Sequence, residues 1–218
     1  MSSYHIPIML DEVMALLKPK RGGLFVDGTL GGGGHSLEIY EAMPIGSHLF
    51  CIDRDTEAIE EATEKFNSVL VKGKEFRAIH GNFYNMRELL EEVSVSKVDG
   101  ILLDLGVSSH QLDETSRGFS YMQDAPLDMR MDTHSKLSAY DVVNGYSEQS
   151  LREILFNYGE ERHTIRIVKG ILSARQDNPI KTTSELVAII KNAMPYSALR
   201  ENQHPAKRTF QAIRIEVN

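Results

Sequence analysis

The chain has 218 residues, of which 41% are hydrophobic and 25% are charged, a composition that excludes disordered tails, collagens and disulfide-stapled miniproteins. No apolar run approaches the roughly 20 residues needed to cross a bilayer, and the N-terminus lacks the charged and apolar segments of a secretory signal. Because the single Cys51 cannot form an internal disulfide, we expect a cytoplasmic protein.

The charge is unevenly distributed along the chain. Residues 1–151 contain 13 Lys and Arg against 24 Asp and Glu, whereas residues 152–218 contain 11 against 7. This imbalance is either a chance distribution of solvated surface charge or an acidic catalytic half beside a basic face for a polyanion.

Helical and strand patterns alternate through the first half of the chain. A helix that Asp11 can cap is followed by four apolar runs typical of strands, with helical spacing between them. The predicted strands span residues 24–27, 48–53, 75–79 and 98–104. This alternation predicts an α/β fold, with a parallel sheet and helices on both of its faces.

Three of the four predicted strands end in an acid, namely Asp27, Asp53 and Asp104. In open parallel sheets, ligands bind beyond the carboxyl ends of the strands. The three acids therefore form a candidate site at that edge of the sheet.

The pattern changes after residue 110. Residues 111–131 are polar and loop-like, and helical patterns follow, including one that Ser147 can cap and one that opens with the capping box of Thr182 and Glu185. We predict an inserted helical subdomain over residues 111–204. The final segment fits a helix by some of its apolar residues and a strand by others.

The strongest local signal is the glycine-rich turn Asp27-Gly-Thr-Leu-Gly-Gly-Gly-Gly-His35, which follows a strand and precedes a helix. Glycine allows the backbone to approach a ligand closely. The turn does not match the dinucleotide pattern G-x-G-x-x-G in any register. A nucleoside-binding turn is favoured over a merely flexible one.

Asp53 ends the second predicted strand about 20 residues beyond the glycines, where a carboxylate can accept both hydroxyls of a ribose. That role suits NAD and the adenosine of S-adenosylmethionine equally well. The alternative is a helix cap, for which Asp55 is better placed.

Several long segments of the sequence closely resemble the bacterial RsmH (MraW) family. They span residues 5–10, 25–36, 104–109, 117–120, 126–132, 158–162 and 208–218. Members of that family are S-adenosylmethionine-dependent methyltransferases that modify the N4 amine of a cytidine in 16S rRNA of the small ribosomal subunit. The resemblance covers the whole chain, and its motifs are long and ordered.

The resemblance implies a set of cofactor-binding positions, which are Gly33, Gly34, His35, Asp53, Phe83, Asp104 and Gln111. Asp104 is also the best candidate to accept hydrogen bonds from the target amine, with Ser108 and Ser109 as helpers. Structural roles are the alternatives: Phe83 as a core aromatic, Gln111 as a loop cap and His35 as a packing residue. The reaction needs no metal, and no His/Cys ligand cluster is visible in the sequence.

Four basic residues are candidates for contact with rRNA: Arg117, Arg130, Lys207 and Arg208. For the first two, the alternative is a structural cluster with Asp128, and for the last two a plain linker. Two aromatic residues, Phe119 and Tyr121, are candidates for stacking on the target base once it has left its own stack.

The resemblance also implies a domain plan. It places the first half of a Rossmann-like class I methyltransferase core in residues 1–110, the helical insertion in 111–204 and the start of a return to the core in 205–218. A later family motif of Ser-Phe-His-Ser-Leu-Glu-Asp-Arg type does not occur in the sequence. We therefore expect an incomplete core, little methyl transfer and an apolar strand edge near residues 100–103 that forms a homodimer, is occluded or promotes aggregation.

Two other functions share these features. A nicotinamide oxidoreductase would use the same fold and the same ribose acid, although the missing third glycine counts against it. The second alternative is a non-catalytic protein that binds the cofactor or RNA. Binding of NAD compared with S-adenosylhomocysteine separates the first from a methyltransferase.

Overall fold

A computed structural model describes residues 7–108, 111–112 and 114–218. The chain divides into two compact units, Met1–Ser108 and Ser109–Asn218. No helix within the described ranges is long and apolar enough to span a membrane.

The first unit is built around a parallel sheet of strand order β3-β2-β1-β4. Its strands are β1 (Leu24–Asp27), β2 (His48–Asp53), β3 (Glu75–His80) and β4 (Gly100–Leu102). Its helices are α1 (Leu10–Leu17), α2 (Gly34–Ala42), α3 (Thr56–Asn67) and α4 (Met86–Glu92). The predicted mixed α/β fold with a parallel, helix-flanked sheet of Rossmann-like type is confirmed.

The two central strands, β1 and β2, have apolar side chains on both faces. On β1, Phe25 belongs to a cluster with residues of α2 and α3, whereas its neighbour Val26 belongs to another cluster with Leu90 of α4. Successive side chains of a strand point to opposite faces, so both faces are covered. This packing on both faces holds the two strands in place, and with them the strand ends where Asp27 and Asp53 lie.

Strand β4 is shorter than the predicted run of 98–104 and lies at the border of the sheet. It pairs with β1 on one side, through Phe25↔Gly100 and its neighbours. No strand pairs with its other side within the described residues. The side chain of Ile101 is 49% exposed there. An apolar strand border with free backbone groups is a template for pairing with another chain.

We expect this border to promote self-association, which Ile101→Lys should weaken by about tenfold because a charge opposes edge-to-edge pairing. Sedimentation velocity over a range of concentrations measures the effect. Val71→Lys is the matched control, since Val71 is also an exposed β-branched residue of the first unit. A monomer at every concentration, or an equal effect of the control, contradicts the prediction.

The second unit is helical in its regular elements. It contains α5 (Ala139–Gly145), α6 (Glu148–Asn157), α7 (Thr164–Asp177), α8 (Thr183–Ala193) and α9 (Lys207–Val217). The predicted cap at Ser147 is confirmed, as is the capping box of Thr182 and Glu185. These caps satisfy backbone N–H groups that have no partner within the first turn of a helix.

The ambiguous terminal segment forms helix α9, and its apolar side chains lie in the core of the second unit. Phe210, Ala212 and Ile213 are fully buried in a cluster that includes Leu151 and Leu155 of α6. The helical period aligns these residues on one face, where α5 and α6 pack against them. The structure thus places the segment from 205 onward in the second unit, and its role as a return to the core stays a prediction.

Candidate active site at the carboxyl edge of the sheet

Asp27, at the end of β1, accepts hydrogen bonds from residues at both ends of the glycine-rich turn. Its Oδ1 accepts hydrogen bonds from the Thr29 backbone N–H at 3.0 Å and from the Thr29 hydroxyl at 3.2 Å. Its Oδ2 accepts a hydrogen bond of 2.6 Å from the Ser36 hydroxyl. Asp27 is buried, and this burial raises the pKa of its carboxyl group. Its oxygens are therefore occupied in holding the turn.

The turn brings backbone close to the sheet and opens α2. Gly33 precedes the helix with φ of 77°, a left-handed conformation in which an L side chain is strained. A Cβ atom added to Gly33 would also lie 3.2 Å from the Cβ of Ala62 on α3. Helix α2 then begins at Gly34, so its first backbone N–H groups lie at this edge of the sheet.

Asp53, at the end of β2, is hydrogen-bonded to the same turn. Its Oδ2 accepts the Gly31 N–H at 2.8 Å, and its Oδ1 accepts the Asp55 N–H at 2.9 Å. Partial burial raises the pKa of Asp53, against these stabilising hydrogen bonds. A carboxylate oxygen can accept more than one hydrogen bond. Asp53 can therefore order the turn and still accept the hydroxyls of a ribose.

Asp104 follows β4, and its side chain is 57% exposed. Its backbone N–H donates to the Thr29 hydroxyl at 2.7 Å. Its Oδ2 lies 3.9 Å from Nδ1 of His35, whose Nε2 is 2.9 Å from the Ile8 carbonyl oxygen. Of the three strand-end acids, Asp104 presents the most accessible carboxylate to a ligand.

Phe83 lies at the same edge, in the turn Phe83–Asn85 that follows β3. A Cβ atom added to Gly28 would lie 2.5 Å from Cδ2 of Leu103 and 3.1 Å from Cβ of Phe83. A larger residue at this position would displace these neighbours, so the Phe83 side chain packs beside the start of the turn. Phe83 is 36% exposed, which leaves part of its ring available to a planar ligand.

The structure brings together six of the residues predicted to bind the cofactor, in the first unit. Hydrogen bonds and close contacts connect the turn with Asp53, Asp104, His35 and Phe83. Ser108 also approaches the turn, since a Cβ atom added to Gly31 would lie 3.9 Å from its Cβ. Ser109 lies outside the described residues. Gln111 belongs to the second unit, where it is buried.

The predicted RNA contacts of the second unit differ in their surroundings. Arg117 is buried and donates hydrogen bonds of 2.9 Å to the carbonyl oxygens of Arg130 and Met131. Arg130 forms a two-point ion pair with Asp128, at 2.9 and 2.7 Å. The ion pair of Arg130 with Asp128 is therefore present, while Arg117 is engaged by carbonyl oxygens. RNA contact by these two arginines stays a prediction.

Lys207 and Arg208 begin α9, and their side chains differ in exposure and contacts. Lys207 is exposed, whereas Arg208 donates a hydrogen bond to the Glu160 carbonyl oxygen. Their role toward RNA also stays a prediction.

The two aromatic residues considered for base stacking are engaged within the second unit. Phe119 is fully buried, so its ring offers no face to a base, and that suggestion is wrong. Tyr121 stacks on the His204 ring at 4.5 Å between ring centres.

Sequence reasoning missed Thr29, whose hydroxyl connects the ends of β1 and β4. It donates to Asp27 and accepts from the Asp104 N–H across 75 residues of chain. A threonine two residues after an aspartate is a recognisable turn pattern. That pattern gives no sign of a distant partner on another strand.

The edge of the sheet carries the kinds of group that a nucleoside-binding site would need. Asp53 offers acceptors for a ribose diol, the N-terminus of α2 offers backbone N–H groups, and Phe83 offers an aromatic surface. The sequence model of the MraW methylase family matches residues 2–218 of the chain.

The chain belongs to the MraW methylase family.

Curated relatives of the family support this assignment over nearly the whole chain. A protein named ribosomal RNA small subunit methyltransferase H from Ruminiclostridium cellulolyticum is 52% identical over 98% of the chain and 68% of its own length. Proteins of the same name from Clostridium botulinum strain Kyoto and Clostridioides difficile strain 630 are 54% and 50% identical, over 98% and 100% of the chain. The chain spans 68% and 69% of those two relatives.

Thr29→Val should weaken binding of S-adenosylhomocysteine by about tenfold, the effect of one or two lost hydrogen bonds on a positioned group. Valine keeps the shape of threonine but leaves the Asp104 N–H without its acceptor, so Asp104 loses its position. Isothermal calorimetry measures the affinity. Thr29→Ser restores the hydroxyl and should restore the affinity, and a failure of serine to do so contradicts the prediction.

Proposed function

We propose that the chain is an S-adenosylmethionine-dependent rRNA methyltransferase that modifies the N4 amine of a cytidine in 16S rRNA. The observation that carries this proposal is the position of Asp104 in a chain of the methylase family. Its carboxylate is exposed, and its backbone N–H is hydrogen-bonded to Thr29 of the glycine-rich turn. The name that the relatives share, ribosomal RNA small subunit methyltransferase H, supports the small-subunit rRNA as substrate.

The residues of the first unit would divide the cofactor between them. Asp53 would hold the ribose hydroxyls, and Phe83 would lie near the adenine. The turn residues Gly33, Gly34 and His35 would contact the rest of the nucleoside and its methionine. S-adenosylmethionine supplies an electrophilic methyl group when it is bound. The protein supplies position, since the methyl group and the attacking nitrogen must lie in line.

Asp104 would act on the nucleophile. The exocyclic amine of cytosine is a weak nucleophile because its lone pair is delocalised into the ring. A carboxylate that accepts a hydrogen bond from this amine would localise the lone pair as the nitrogen–methyl bond forms and the sulfur–methyl bond breaks. The same carboxylate would receive the proton that the methylated amine loses. Ser108 and Ser109 would assist as further hydrogen-bonding groups.

The reaction and the cofactor are tested by two measurements on the same preparation. Calorimetry should detect binding of S-adenosylhomocysteine and no binding of NAD. After incubation with methyl-labelled S-adenosylmethionine and small ribosomal subunits, any label that enters 16S rRNA should be recovered as N4-methylcytidine by nucleoside analysis. Binding of NAD alone, or label in any other nucleoside, contradicts the proposal.

The basic residues at the start of α9 supply an RNA prediction. Lys207→Ala with Arg208→Ala should reduce the salt dependence of rRNA binding by up to about two units of slope, because each phosphate contact contributes about one unit. Lys207→Ala alone should reduce the slope by about one unit. This single variant leaves in place Arg208, which also donates a hydrogen bond to the Glu160 carbonyl oxygen. Filter binding at several salt concentrations measures the slope.

The control for this prediction is the double variant Lys72→Ala with Lys97→Ala. It removes the same charge from exposed positions of the first unit. Equal slopes for the two double variants, or binding that does not depend on salt, contradict a role for Lys207 and Arg208.

A further inference from the structure

The second unit contains a pocket of about 320 Å³ that the proposed chemistry does not use. This volume is at the lower end of the range of about 300–1,000 Å³ for sites that hold small ligands. Six residues of its lining carry a charge or an aromatic ring, namely Asp128, Arg130, Lys136, Tyr140, Asp141 and Lys181.

Backbone hydrogen bonds hold the walls of this pocket together. The Leu127 N–H donates to the Lys181 carbonyl oxygen at 3.0 Å, beside an antiparallel bridge between Pro126 and Thr182. The Tyr140 N–H in turn donates to the Leu127 carbonyl oxygen at 2.7 Å. Two segments far apart in sequence are thereby fixed around one opening, so the pocket is formed before any ligand arrives.

The two carboxylates of the pocket are engaged by its own residues. Asp128 forms the two-point ion pair with Arg130, which also donates to the carbonyl oxygens of Thr133 and Ser135. Asp141 accepts from the Ser138 backbone N–H at 2.9 Å and from its hydroxyl at 2.6 Å. Both acids are satisfied within the protein, and Arg130 balances one of their charges.

The two lysines of the pocket have no such engagement. Lys136 and Lys181 are exposed, and neither ammonium group forms an ion pair within the described part of the chain. Three cations therefore face two carboxylates around the opening. Beside the lysines, Tyr140 is 38% exposed, so part of its ring borders the same space.

We propose that this pocket binds one nucleotide of single-stranded rRNA, with the phosphate between Lys136 and Lys181 and the base against Tyr140. The inference rests on the proposed rRNA substrate. Lysines supply point charges for a phosphate, and an aromatic ring supplies a stacking surface that suits any unpaired base. A base within a duplex is already stacked on its neighbours, so this site selects single strands.

The chain has no tryptophan, which allows a direct test. Tyr140→Trp introduces a single indole at the pocket, and stacking of a base quenches its fluorescence. A single-stranded RNA of mixed sequence, 5′-labelled for anisotropy, is the probe. Anisotropy reports RNA binding anywhere on the protein, whereas the quenching reports occupation of the pocket. Saturable quenching is expected with the single strand and not with the same RNA as a duplex.

Lys136→Ala with Lys181→Ala, combined with Tyr140→Trp, should weaken the quenching isotherm by about tenfold, the loss of two phosphate contacts at moderate salt. Lys72→Ala with Lys97→Ala, combined with the same indole substitution, is the matched control and should leave the isotherm unchanged. RNA binding without quenching, or equal effects of the two pairs of lysine substitutions, overturns the pocket and leaves the proposed function standing. Absence of any RNA binding at low salt rejects both.

Discussion

Replacing Asp53 by alanine should weaken binding of S-adenosylhomocysteine by about tenfold or more, because a partly buried carboxylate that accepts ribose hydroxyls contributes about 1.5–3 kcal/mol. Alanine also leaves the Gly31 N–H without its acceptor, so the turn loses one of the bonds that shape it. Calorimetry of the wild-type and variant chains measures the change. An unchanged affinity contradicts the assignment of Asp53 to the ribose.

Asp53→Asn separates the two roles of this side chain. The amide oxygen can still accept the Gly31 N–H, although the amide nitrogen cannot replace the oxygen that accepts the Asp55 N–H. The negative charge that strengthens hydrogen bonds from a ribose is also lost. We expect an affinity between those of the wild-type protein and Asp53→Ala. If the asparagine variant binds as tightly as the wild type, the carboxylate acts only on the turn.

The pKa of Asp53 gives an independent measurement. Its folded-state value is raised by burial, so its carboxylate becomes protonated at a higher pH than an exposed aspartate does. A protonated carboxyl group is a poorer acceptor for ribose hydroxyls. Cofactor affinity should therefore fall as the pH decreases through this raised pKa, and Asp53→Asn should lack that part of the pH dependence.

The sheet could be predicted from the sequence because each of its strands is a short apolar run between helical patterns. Its boundaries were less accurate at β4, which the apolar run predicted over residues 98–104 and the structure limits to Gly100–Leu102. A run of apolar residues cannot show where hydrogen bonding to a neighbouring strand stops. That limit depends on the register with β1, which ends at Asp27.

The candidate site was predictable in position but not in the roles of its acids. Asp27, Asp53 and Asp104 look equivalent as strand-end residues, yet they are respectively buried, partly buried and exposed. The difference arises from contacts that the sequence does not encode locally, such as the bond from Ser36 to Asp27 and that from Gly31 to Asp53. The hydrogen bonds of Arg117 could not be predicted either, because its partners are backbone carbonyl oxygens, which every residue has.

Phe210→Ala should reduce the free energy of unfolding of the second unit by about 3–5 kcal/mol, the usual cost of replacing a buried phenylalanine and leaving a cavity. Phe210 is fully buried, and its ring meets that of Tyr121 edge-on at 5.6 Å between centres. Helix α9 thereby contributes a central side chain to the core formed with α5 and α6. Hydrogen exchange of the α6 and α7 amides, resolved by peptide, measures stability within this unit.

Phe156→Ala is the matched control for this effect. Phe156 lies on α6 and is 68% exposed, so its removal should change stability by no more than about 0.5 kcal/mol. The difference between the two substitutions tests the packing of residues 205–218, the segment that the family resemblance assigned to a return toward the sheet. If α9 is part of the second unit's core, Phe210→Ala must increase exchange in α6 and α7 far more than Phe156→Ala does. Equal effects of the two substitutions would mean that α9 does not stabilise this unit and that its packing partner lies elsewhere.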